Sequence, residues 1–290
     1  MTVARWVAVQ RNPVSGAGQD RAAIVELVLR LREHGLHPRL FANRERLRRR
    51  LDDPRWRERL VGIVAAGGDG TVGDVINRFP GFPLAILPLG NENLLAGYLG
   101  IPKAGRAVAD MIAASHRQRL DVGVVGDRRF TLMASAGFDA DVVHRTHAAR
   151  TGHITRGRYV GPILRSLFRY RFHEMRIYID DDPAPLRART ALIVNIPAYA
   201  IGLRLADSAR GDDGVLDLRL FEHGSVFRMP WYFVRVLTRS HERLRDVRSA
   251  RASRVRIESD EPIPVQIDGD PAGWTPVEIR ILPGALEVFV

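Results

Sequence analysis

The chain contains no cysteine, and Lys103 is its only lysine. The first absence excludes a disulfide framework, a Cys-ligated zinc site and a thiol nucleophile. The second excludes a Walker P-loop, because no Gly-Lys-Ser/Thr sequence exists here. Long apolar runs are missing too. No stretch approaches the ~18 uninterrupted apolar residues of a spanning helix, and the segment from Met1 onward lacks a signal-peptide apolar core. A cytoplasmic protein is expected, touching a membrane at most peripherally on its inner face.

What is present is an ordinary globular composition: 290 residues, 46% hydrophobic and 27% charged. That is enough chain for two domains. The formal net charge of +11 points to an anionic partner such as nucleic acid, a phospholipid leaflet or a phosphorylated substrate. An arginine-only excess is equally the mark of a GC-rich genome. No basic helix carries interleaved stacking aromatics, so nucleic acid is not an expected partner.

Hydrophobic patterning divides the chain. Before about Arg119, strand-like runs (Val3 to Gln10, His37 to Ala42, Val61 to Ala66, Pro83 to Pro88) alternate with helical spacings such as Ala22 to His34 and the basic Glu45 to Leu51. This order predicts a parallel sheet with ligands at the carboxyl ends of its strands. After Gly126 the segments are short and alternating: Arg129 to Met133, Met175 to Ile179, Ala191 to Ile196, Leu216 to Phe221, Val255 to Ile257 and Val277 to Leu282. They predict an antiparallel β-sandwich, interrupted by helical stretches at Tyr159 to Tyr170 and Val226 to Arg245. The expected organisation is an α/β domain over residues 1–125, three-layered and nucleotide-binding, followed by an antiparallel β-sandwich domain over 126–290, with the boundary between Arg119 and Asp127.

Three glycine-bearing loops fall at carboxyl ends of predicted strands. Asn12-Pro13-Val14-Ser15-Gly16 could bind phosphate through backbone amides and the Ser15 hydroxyl, or simply cap a helix. Gly67-Gly68-Asp69-Gly70-Thr71 is more specific. Thr71 is read as a helix cap, and Asp69 adds a charge that capping does not require. A carboxylate in a phosphate-binding turn repels the ligand unless a cation lies between them, which suggests a magnesium nucleotide. The third loop, Gly90-Asn91-Glu92-Asn93, offers polar side chains to a nucleotide or metal, or an N-cap at either asparagine.

Later carboxylates are ambiguous alone. Asp139 follows a strand; Asp212, Asp213 and Asp217 cluster in a turn able to offer oxygens to a hard cation; Asp268 and Asp270 flank Gly269 in a hairpin-like turn. His144, His147 and His153 match no standard metal spacing. Arg44 to Arg50 reads as a solvated helix face or a contact for anionic headgroups. Phe227 to Val234 reads as a helix packing on the sandwich or touching a membrane.

In this order, the segments resemble the diacylglycerol kinase catalytic domain family, which includes bacterial lipid kinases and sphingosine kinases. Leu120-Asp121-Val122-Gly123 and Gly137-Phe138-Asp139-Ala140 join the match. The resemblance implies an α/β nucleotide-binding domain and a β-sandwich, with ATP and Mg²⁺ in the cleft between them. It implies that residues 67 to 71 hold the ATP phosphates with Asn12, Ser15, Gly16, Gly90, Asn91 and Asn93. Asp69 and Asp121 would organise Mg²⁺, and Asp268 would be the general base beside Asp270. A structural Mg²⁺ would take the Asp213 carboxylate and the carbonyls of Arg210 and Val215. Asn91 and Glu92 depart from the family pattern, and Asp270 stands where glutamate is commoner.

The implied activity is transfer of the ATP γ-phosphoryl group to a hydroxyl of a diacylglycerol-like or sphingoid lipid, at an anionic membrane surface. Two other readings stay open: an NAD kinase-like enzyme with a soluble acceptor, and a catalytically silent lipid- or nucleotide-binding regulator. Oligomeric state is not legible, a homodimer being one option.

Overall fold

The computed structural model describes residues 4–11, 20–148, 160–199 and 202–290. Two compact units divide it: Met1–Leu120 with Gly284–Val290, and Asp121–Pro283. The first unit contains β1 (Trp6–Arg11), α1 (Asp20–Glu33), β2 (His37–Phe41), α2 (Arg44–Leu51), α3 (Pro54–Arg57), β3 (Leu60–Gly67), α4 (Asp69–Arg78), β4 (Leu84–Pro88), α5 (Leu94–Tyr98), α6 (Gly105–Ala114) and the start of β5 (Arg117–Val125). The second contains β6 (Arg128–Phe130), β7 (Met133–Gly137), α7 (Phe138–Ala148), α8 (Val160–Arg169), β8 (Met175–Ile179), β9 (Leu186–Ala188), β10 (Thr190–Val194), β11 (Leu216–Phe221), α9 (Arg228–Leu237), β12 (Val247–Ala252), β13 (Arg254–Ser259), β14 (Pro264–Ile267), β15 (Asp270–Trp274) and most of β16 (Val277–Phe289).

In the first unit the strands run in the order β2-β1-β3-β4-β16, all parallel. The burial of β1 and β3 is continuous rather than alternating, as expected of parallel strands covered on both faces. α1 buries Ile24, Leu27 and Leu31 at helical spacing. α1 also lies close to α6, where a Cβ on Gly105 would fall 1.9 Å from the Ala23 carbonyl oxygen. The parallel sheet aligns the carboxyl ends of β1, β3 and β4, and with them the loops that carry the candidate residues.

The second unit has a six-stranded antiparallel sheet ordered β12-β11-β10-β7-β14-β15. Period-two alternation gives this sheet two apolar faces. Ala191 and Ile193 of β10, Ala134 and Ala136 of β7, and Leu216, Leu218 and Leu220 of β11 join Ile177, Val255, Ile257 and Ile279 in the sandwich core. Leu192, Val194 and Met133 face the other way, into a second cluster with Met229, Tyr232 and Val236 of α9. On that face β11 also carries Asp217 and Arg219. Both are almost fully buried, with Arg219 reaching Glu242 at 2.6 Å.

The predicted strand at Arg129 to Met133 is broken into β6 and β7. The cause is Asp268: its carboxylate takes the backbone amides of Thr131, Leu132 and Met133.

Candidate active site

The first unit brings the second and third glycine loops together. Gly67 ends β3, and Gly68 is the N-cap of α4 in extended backbone. Its carbonyl accepts the amides of Thr71 and Val72. The helix therefore begins three residues earlier than a Thr71 cap implies, and Thr71 is buried in its first turn. A Cβ on Gly67 would lie 2.2 Å from the Thr71 hydroxyl oxygen, and one on Gly90 would lie 2.5 Å from the Gly68 Cα. These two strand ends approach backbone to backbone, which only glycine permits. Gly70, by contrast, has nothing within 4 Å of its Cβ direction.

The third loop is fastened by its own asparagine. Asn93 adopts a left-handed conformation at φ 51° and is the N-cap of α5. Its Oδ1 accepts the Gly90 amide at 2.9 Å while Nδ2 donates to the Gly90 carbonyl at 2.6 Å. Asp69 then joins both loops: Oδ2 accepts the Leu94 amide at 3.0 Å and Oδ1 the Leu95 amide at 3.2 Å. Burial pushes the Asp69 carboxyl above the usual carboxylate range; the Glu92 charge acts in the same direction, against the pull of the Leu94, Leu95 and Asp69 amides. Asn91 is exposed at the loop tip. Asn12, Ser15 and Gly16 lie outside the described residues.

The donor set suits a nucleotide with its own cation. The first turn of α4 begins beside an open Gly70, and a helix N-terminus of this kind could receive a phosphate. Among the described residues no group of three or more His, Asp or Glu side chains could hold a metal ion. Magnesium commonly takes one or two carboxylates and completes its shell with phosphates and water, so Asp69 is sufficient as a protein contribution.

In the second unit, Asp121 is almost fully buried. Its Oδ2 accepts the Gly214 amide at 2.6 Å, its own amide donates to the Gly211 carbonyl at 2.7 Å, and its carbonyl accepts from Asn195. Asp121 thus fixes the 211–214 turn. Asp213 in that turn accepts the Val215 amide at 3.3 Å and pairs with Arg251. Arg210 points to Asp212 at 3.4 Å. A cation at Arg210, Asp213 and Val215 would compete with the Arg251 guanidinium for the same carboxylate.

Asp268 has φ 47°, and each of its carboxylate oxygens is doubly engaged. Oδ2 accepts the Thr131 amide at 2.8 Å and the Thr131 hydroxyl at 3.3 Å, while Oδ1 accepts the Leu132 and Met133 amides at 2.9 and 3.0 Å. Asp270, two residues on, is half-exposed, with His147 Nδ1 at 3.9 Å. Between them the Gly269 amide donates to Gln266 Oε1 at 2.9 Å. Gln266 Nε2 reaches Ser135 and Asp139, and Asp139 also accepts the Tyr199 hydroxyl. Sequence reasoning missed Gln266, Tyr199 and the placement of His147 near Asp270. The only signal was the even spacing of Gln266 and Asp268 along a strand and its turn.

Comparison with known proteins identifies both parts of the chain. Residues 7–125 match the profile of the diacylglycerol kinase catalytic domain, and residues 132–290 that of the YegS C-terminal NAD kinase beta sandwich-like domain. A Mycobacterium tuberculosis protein named diacylglycerol kinase is 29% identical over 288 residues, covering 96% of this chain and 93% of the relative. A Staphylococcus saprophyticus protein of the same name is 24% identical over 283 residues, covering 96% and 93%. A crystal structure of a diacylglycerol kinase from Bacillus anthracis superimposes with a TM-score of 0.70 at 19% identity, covering 98% of this chain and 96% of that one.

Proposed function

This chain belongs to the diacylglycerol kinase family, joining that family's catalytic domain to a YegS-type C-terminal domain, and from that membership we propose that it is an ATP-dependent lipid kinase acting on a diacylglycerol-like or sphingoid alcohol. The observation that carries the nucleotide half of this reading is the approach of Gly68 to Gly90. It leaves a side-chain-free surface at the carboxyl ends of β3 and β4, beside the first turn of α4.

Magnesium-bound ATP would supply the phosphoryl group and neutralise its charge. The protein's part is positioning, since phosphoryl transfer requires little covalent help. Gly67, Gly68, Gly70 and Thr71 would receive the phosphates, with Asn12, Ser15, Gly16, Gly90, Asn91 and Asn93 around them. Asp69, already held by the Leu94 and Leu95 amides and its own, would face the cation through the lone pairs those amides leave free.

The attacking hydroxyl must lose a proton as its bond to phosphorus forms. Asp270 is the carboxylate with acceptor capacity to spare, whereas Asp268 would have to release an amide to accept a proton. We therefore assign proton transfer to the Asp268-Gly269-Asp270 turn, with Asp268 setting its shape. Asp121, Arg210, Asp213 and Val215 would maintain the turn at 211–215, with or without a cation.

The test is transfer of label from γ-labelled ATP to a total lipid extract, with NAD offered separately. Labelled phospholipid is expected. Labelled NADP without labelled lipid would instead establish an NAD kinase-like enzyme, and ATP binding with neither product a silent regulator.

A further inference from the structure

Helix α9 is apolar on both sides. Met229, Tyr232 and Val236 are buried in the cluster behind the six-stranded sheet. On the opposite arc Phe227 at the N-cap is 88% exposed, and Trp231, Phe233, Val234 and Leu237 are 46%, 50%, 48% and 54% exposed. A surface helix normally turns charged residues outward. Scattered apolar side chains on a surface are common, but a contiguous aromatic and aliphatic face marks an interaction site.

The charge along this segment is of one sign. From His223 to His241 there is no carboxylate, while Arg228, Arg235 and Arg239 fall in that span. Arg235 lies 5.4 Å over the Trp231 ring, at the margin of the apolar face. Arg228 pairs with Asp246. Helix α8 rests on the same cluster through Leu167. It too exposes apolar side chains, Phe168 and Ile163, with Arg165 and Arg169 beside them. Its sequence context is more one-sided still: from Val142 to His173 there is again no Asp or Glu, against seven arginines.

An apolar face bordered by arginines fits one occupant well. A second copy packed through a two-fold axis would bring each arginine rim against its own image. An anionic bilayer accepts aromatic and aliphatic side chains at the acyl boundary while its headgroups meet the arginines. We propose that the outer face of α9, flanked by α8, docks on the surface of an anionic membrane. The inference is carried by this face alone and does not depend on the reaction assigned above.

The experiment uses the full chain and no nucleotide. Sedimentation with phosphatidylcholine vesicles, with and without phosphatidylglycerol, measures binding. In a Trp274→Phe background, bromine-labelled acyl chains report whether Trp231 enters the bilayer. Expected results are binding that requires phosphatidylglycerol, quenching of a signal that Trp231→Phe removes, and loss of about tenfold or more of the partition in Phe227→Ser/Phe233→Ser/Leu237→Ser. These three side chains are already in water, so the variant should melt with wild type and retain phosphorylation of detergent-dispersed acceptor. If it misfolds, Trp231 quenching in the otherwise unaltered face decides the matter. The proposal is overturned by wild-type protein that ignores anionic vesicles, by unquenched Trp231, or by a folded triple variant that sediments like wild type. A wild-type dimer made monomeric by the triple substitution, without vesicle binding, would assign the face to a second copy.

Discussion

Asp69 Oδ2 accepts the Leu94 amide at 3.0 Å. The acid in the glycine turn is therefore tied to the neighbouring loop before any ligand arrives, and the geometry of each loop depends on the other. A carboxylate in this position combines two functions that pull in different directions. In the proposed function it would have to remain charged to face a cation, yet it is buried enough that burial raises its proton affinity.

The first prediction concerns that balance. If the charged form of Asp69 is required, the acid limb of kcat/KM lies above the usual carboxylate range, because that profile reports the free enzyme. Glu92 contributes to the upward shift, so Glu92→Gln should move the limb to lower pH. An unmoved or raised limb would remove Asp69 from the titration. The stability effect has a definite sign. A carboxyl raised on folding binds its proton more tightly in the native state, so its contribution to stability is greatest below the unfolded value and declines as pH rises through the folded one.

The second prediction separates the two kinds of glycine. At Gly90 an added methyl would lie 2.5 Å from the Gly68 Cα and 3.0 Å from Asn93 Oδ1. Gly90→Ala should lower stability by about 1–3 kcal/mol, as overpacking does. Gly70 has open space instead, and alanine there should hold or slightly raise stability, since it favours the helix. If phosphate occupies that space, Gly70→Ala will weaken ATP binding in titration calorimetry while its melting point stays at or above wild type. Unchanged ATP affinity in Gly70→Ala would place the phosphates elsewhere.

How much of this could be read in the chain depended on how local the cause was. The strand ends bearing Gly67 and Gly90 were legible, because hydrophobic runs and glycine turns are written in consecutive residues. The helical character at α8 and α9 was legible for the same reason. The break between β6 and β7 was not: it is made by Asp268, 137 residues from Thr131, and nothing in Arg129 to Met133 announces a partner so distant. Nor did the run Val277 to Leu282 indicate that its strand continues through Pro283 and Gly284 to pair Val288 with Leu84 in the first unit. Asp121 and Asp213 were legible as carboxylates near turns. Their contacts, the Gly214 amide and Arg251, are products of packing between segments.

The last prediction divides the Asp268-Gly269-Asp270 turn. An amide in place of the Asp268 carboxylate retains one acceptor oxygen but presents NH₂ where backbone or hydroxyl donors already point. Asp268→Asn should therefore be destabilised by about 1–3 kcal/mol, the range for a buried polar group left unsatisfied, and should lose activity together with stability. Asp270 is half-exposed, its nearest ionic neighbour among the described residues being His147 at 3.9 Å, so Asp270→Asn should melt with wild type. If Asp270 receives the hydroxyl proton, phosphoryl transfer in Asp270→Asn should fall about 10²–10⁴-fold, the usual contribution of a positioned base. Thermal denaturation and initial rates on the two variants decide between them. A stable but inactive Asp268→Asn beside an active Asp270→Asn would return the base to Asp268, which would then have to release one of the amides at 131–133 to take the proton.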